Sequence, residues 1–119
     1  MSDAKKFAAI FDGLKLAYGT YKIDRTKTNG KQAGKASVLK EPRTLSHWEG
    51  HLSGKGDSIG IIPINEDNSC KWGCIDVDQY PLDHKAIIEK VRRMKLPLMV
   101  CRSKSGGAHL FLFTTEWIS

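Results

Sequence analysis

Two carboxylates, Asp76 and Asp78, stand two positions apart in CKWGCIDVDQY (70–80), a stretch that otherwise reads as a strand. Side chains at i and i+2 leave the same face of an extended chain, so the pair points one way while Ile75 and Val77 point the other, into the core. Carboxylates held side by side repel, and burying them is costly unless they are paired or hold a cation. A divalent ion relieves the repulsion; Mg²⁺ takes one or two carboxylates and completes its shell with water and substrate phosphates. Asp76 and Asp78 are therefore expected on one face of a central strand, as candidate ligands of a divalent cation such as Mg²⁺. The plainer account of a bare D-x-D is a solvated strand end carrying two incidental acids.

A second stretch, RSKSGGAHLFLF (102–113), places small and basic residues between two apolar runs. Backbone N–H groups in a glycine-rich turn can form an anion-binding nest, and glycine lets a phosphate approach closely. Arg102, Ser103, Lys104, Ser105, Gly106 and Gly107 are thus candidates to cradle phosphate, with His109 directly after them. The ordinary alternatives are a hairpin turn and a histidine with a structural hydrogen bond. A Walker loop is excluded, because GKAS (34–37) lacks the upstream glycine at the required spacing.

The third stretch is basic. Lys22, Arg25, Lys27, Lys31, Lys35, Lys40 and Arg43 face only Asp24 and Glu41 between positions 20 and 43, in a chain whose formal charge is +6. These seven could follow a polynucleotide or triphosphate backbone; each alone reads at least as well as a solvated lysine or arginine. His47 and His51 flank Glu49 in a pattern that does not match a helical zinc protease. Cys70, Cys74 and Cys101 are an odd number, which does not suit a secreted disulfide framework, and a zinc role competes with burial as core thiols.

The elements that position these residues follow from periodicity. Ser2 or Asp3 caps a first helix bearing Phe7, Ile10, Phe11 and Leu14, and residues 21–43 read as an exposed, partly extended loop. Thr44 caps a short helix ended by Gly54; SIGIIPI (58–64) and KWGCIDVD (71–78) are strands; Asp83 caps a helix with Ile87, Val91 and Met94 on one face. LPLMVCR (96–102) and HLFLFT (109–114) are two further strands. The 119 residues make one α/β (α+β) domain, with helices on a mixed or antiparallel sheet. No secretory leader or long apolar run is evident, so a cytosolic location is expected.

IDVD (75–78) and SKSGGAHLFLF (103–113) together resemble the archaeo-eukaryotic primase superfamily, particularly the primase-polymerase domains of phages, plasmids and bacterial mobile elements. The likeness covers about 44–118, while 1–43 is compatible and less diagnostic. It implies an RRM-like catalytic half joined to an N-terminal portion, using DNA template and nucleoside triphosphates for template-directed nucleotidyl transfer. Asp76 and Asp78 would hold the metals, and His109, with Ser103, Lys104 and Ser105 close by, would meet the incoming triphosphate. The family's third acidic position is not matched, because only Glu116 follows His109 in the remaining ten residues. The chain is accordingly expected to be the N-terminal part of a longer polymerase that can carry a further domain such as a helicase. The alternatives are a module that binds nucleotide or nucleic acid without catalysis, and a metal-dependent nuclease.

Overall fold

A computed structural model describes residues 2–28 and 31–119, with the side chains of 24–33 excepted. Among the described residues the fold is α+β, with three helices and two three-stranded antiparallel sheets. The chain divides into two compact units, 1–71 with 115–119, and 72–114.

In the first unit Ser2 caps α1 (Asp3–Ile10), its hydroxyl accepting from the Lys5 N–H at 3.3 Å. Phe7 and Phe11 pack with the buried Trp48 of α2 (Leu45–Ser53) at ring separations of 5.9 and 6.3 Å. The basic segment expected as a loop is instead a hairpin: β1 (Tyr18–Thr28) pairs antiparallel with β2 (Lys31–Leu39). Charge hid the pattern, because both strands mix apolar and lysine positions without clean alternation. β3 (Ser58–Gly60) adds to the other edge of β1. It is shorter than the expected 58–64 because the Ile62 carbonyl accepts from the Leu14 N–H, and Pro63 has no N–H to continue a ladder.

Two polar arrangements hold this unit. The Arg43 side chain is only 10% exposed, pairs with Asp12 at 2.9 Å and donates to the Leu14 carbonyl. Tyr18, buried, donates to Glu41 at 3.0 Å, and burial followed by that bond pushes its phenol up. The His47 Nδ1 accepts from the Thr44 N–H at 2.9 Å, so in the neutral ring Nε2 carries the proton and stands 3.3 Å from the Tyr18 oxygen. His51 accepts from the Ile59 N–H at 3.2 Å, and burial lowers its pKa from 6.5.

In the second unit β4 (Cys70–Val77), β5 (Met99–Arg102) and β6 (Ala108–Ile118) form a sheet in the order β4-β6-β5; β4 starts and β6 ends in the first unit. The strand carrying Asp76 is therefore an edge strand of its sheet, where a central one was expected. Asp83 caps α3 (His84–Arg93) through the Ala86 N–H at 3.1 Å, a contribution of about 1 kcal/mol. Val91 of α3 packs with Ala108 and Leu110, surrounded by Val77, Leu82, Ile87, Leu98 and Val100. Ile75, expected in the core beside Val77, is 56% exposed. No described helix is long and apolar enough to cross a membrane.

Candidate active site

α3 covers the face of the sheet that carries Val77, Val100, Ala108 and Leu110. Alternation along the strands turns Asp76 and His109 to the opposite face. There the His109 Nε2 lies 3.6 Å from the Asp76 Oδ1, with 41% of the His109 side chain and 58% of the Asp76 side chain exposed. Two motifs far apart in sequence thus meet across neighbouring strands. His109 also packs edge-on against Phe111 at 5.9 Å, and Phe111 lies 6.0 Å from Trp72 and 5.9 Å from Phe113.

Asp78 falls one residue beyond β4 and is exposed. The Tyr80 hydroxyl donates to its Oδ1 at 3.0 Å. That bond raises the Tyr80 pKa, helped by partial desolvation and by the charge of Asp78, with a smaller push from Asp76. Ser105 hydrogen-bonds the same phenol oxygen and acts in the opposite direction, the sign expected of a donor. Tyr80 therefore touches both the carboxylate strand and the glycine-rich loop.

The loop joins β5 to β6, with Arg102 facing Ala108 and Cys101 facing His109 in the ladder. It closes through Gly106 N–H to the Ser103 carbonyl at 3.1 Å and Ser103 N–H to the Gly107 carbonyl at 3.0 Å. Gly106 has φ +92°, the left-handed geometry that lets a turn end in a bulge. The amides of Ser103 and Gly106 are spent inside the turn, so the expected nest is only partly available to an anion. Positive charge compensates: Arg102 and Lys104 are exposed, and the Arg102 guanidinium runs beside Gly106. The Ser103 Oγ is buried with no hydrogen-bond partner among the described residues.

Gly107 seats the loop on the carboxylate strand. A Cβ there would collide with the Val77 carbonyl oxygen, so the two backbones touch. The Gly107 carbonyl also receives His84 Nε2 at 2.8 Å; a carbonyl only accepts, so that nitrogen carries the proton. Sequence reasoning missed Tyr80 and His84. The available signal was a tyrosine two positions after an aspartate and a histidine opening the next helix, both of which are common without function.

The donor chemistry fits a divalent cation. The Asp78 Oδ1 accepts from Tyr80, and His109 stands 3.6 Å from the Asp76 Oδ1. Two carboxylate oxygens suit an ion that takes its other ligands from water and phosphates. Among the described residues no cluster of three or more His, Cys, Asp or Glu side chains is gathered for a metal. Partial desolvation, then the charge of Asp76, push the Cys74 thiol up.

Of the basic residues, Lys22, Lys35 and Lys40 are exposed, and Lys22 faces Lys35 directly across the hairpin. The side chains of Arg25, Lys27 and Lys31 lie outside the described residues. Arg43, expected to meet nucleic acid, is committed to Asp12 and the Leu14 carbonyl. Glu116 lies on the distal part of β6, in the first unit.

Two carboxylates, a histidine and a basic glycine-rich loop are residue types suited to handling phosphate. The description of the Archaeo-Eukaryotic Primase domain of the TOTE conflict system matches residues 14–119, and the chain belongs to that family. Membership implies nucleotidyl transfer with nucleic acid and nucleoside triphosphates, in a family that generally uses divalent metals. Comparison with curated proteins returned no match.

Proposed function

We propose that the chain performs the nucleotide-binding and metal-binding part of template-directed nucleotide addition to DNA. The single observation that carries this reading is the 3.6 Å approach of His109 to Asp76, which joins the carboxylate motif to the phosphate loop. Asp76 and Asp78 hold Mg²⁺ or Mn²⁺ through their second oxygens. Arg102, Lys104, the remaining amides of 103–107 and His109 receive the triphosphate, and the orphaned Ser103 hydroxyl offers it one more donor. A bound cation supplies charge neutralisation on the triphosphate and activation of the attacking hydroxyl. The protein's own share is positioning: a rigid seat for the phosphates at a fixed distance from the carboxylates.

Calorimetric titration with a nucleoside triphosphate, with and without Mn²⁺, tests it. Binding should be metal-dependent, and His109→Ala should weaken it more than His47→Ala, whose contacts are to Tyr18 and Thr44. Equal losses would assign the wrong histidine. A binding module without catalysis is the second reading, favoured by the two-carboxylate set; robust primer extension by this chain would overturn it.

A further inference from the structure

The structure assigns Tyr80 as a positioning residue that fixes the Asp78 carboxylate for metal capture and ties it to the phosphate loop. This rests on the reading above. The ring is 43% exposed, so packing alone does not set where the hydroxyl sits. Its hydrogen bonds do. The proton goes to Asp78 at 3.0 Å, the oxygen accepts from Ser105, and the Gly107 backbone lies against it, a Cβ there falling 3.5 Å from the phenol oxygen.

Asp78 needs such a support because it stands outside the strand. Asp76 is held by the β4 ladder and approached by His109, whereas Asp78 begins an irregular segment and would otherwise sample several rotamers. By occupying Oδ1, the phenol leaves Oδ2 for a cation. Groups that hydrogen-bond a metal-binding carboxylate raise metal affinity by pre-orienting it, typically by 10–100-fold. The Ser105 contact makes the same hydroxyl a strut from carboxylate to loop.

The test uses the 119-residue chain with Mn²⁺ and a non-hydrolysable nucleoside triphosphate. Mn²⁺ binding is followed by electron paramagnetic resonance, and nucleotide binding by calorimetry with and without chelator. Tyr80→Phe, which keeps the ring, should raise the Mn²⁺ concentration for half-saturation about 10-fold or more. Nucleotide binding in chelator should stay within about twofold of wild type, since Arg102, Lys104 and His109 are untouched. Ser105→Ala should give a smaller loss of the same kind. Mn²⁺ half-saturation in Tyr80→Phe within twofold of wild type overturns the role. So does an equal loss with and without metal, which marks a merely structural hydroxyl. If Asp76→Ala abolishes metal dependence while Tyr80→Phe is silent, the nucleotidyl-transfer reading survives and the strut does not. Absence of metal-dependent binding in the wild-type chain overturns both.

Discussion

Gly106 and Gly107 adjoin in sequence and are glycines for different reasons. Gly106 needs a positive φ, so Gly106→Ala should cost about 1–2 kcal/mol of left-handed strain. At Gly107 a methyl group meets the Val77 carbonyl, a backbone atom that cannot rotate aside. Gly107→Ala should cost about 1–3 kcal/mol as overpacking and also weaken nucleotide binding, because the loop must lift from β4. Thermal melts combined with calorimetry check both; a Gly107→Ala variant with wild-type melting and binding would show that the close approach is not maintained in solution. At this scale much was legible. Asp76, Asp78 and His109 were singled out as candidates from residue type and spacing, and the structure brings Asp76 and His109 together. Tyr80 was not found, because a hydrogen bond to the carboxylate two positions back depends on the path after β4, which spacing does not encode.

Elements carry the next two expectations. Lys22 and Lys35 face one another across the hairpin, an arrangement that destabilises a sheet by about 0.2–1 kcal/mol relative to an opposite-charge pair. Lys22→Glu should therefore raise the thermal stability of the first unit while weakening its association with DNA; unchanged DNA association would show that the pair is not a polyanion contact. His51 supplies a pH dependence. Its folded pKa lies below 6.5, so between that lowered value and 6.5 the unfolded chain binds more protons than the folded one. Stability is fully present above pH 6.5 and is lost as pH falls toward the folded value. His51→Gln should flatten that slope in denaturant titrations at several pH values; an unchanged slope would move the effect elsewhere. The helices were readable from caps, with Ser2 and Asp83 bonding as expected. The hairpin was not, since lysine-rich strands lack the apolar alternation that betrays a half-buried sheet.

For the molecule as a whole, binding and synthesis should separate. A charge of +6 and exposed lysines on β1 and β2 favour salt-sensitive association with DNA, with each lost phosphate contact lowering the salt slope by about 0.9. Asp76→Ala should leave that association largely intact and remove metal-dependent nucleotide binding. With Asp76 and Asp78 as the acids of the candidate site, the 119-residue chain should extend a primer little or not at all; robust extension would show a carboxylate supplied from elsewhere, Glu116 included. The α+β class could be inferred from the order of apolar runs. The division into two sheets could not, because β3 pairs back to β1 through contacts that no local pattern announces.

The touching backbones at Gly107 and Val77 amount to a gauge block. On the proposed reading, the spacing between the Asp76 and Asp78 carboxylates and the 103–107 loop is set there by the thickness of two peptide groups. Ser103, Lys104 and Ser105 are then free to change charge and hydrogen-bonding character, retuning which phosphate-bearing partner is preferred, without resetting the distance over which the chemistry must reach.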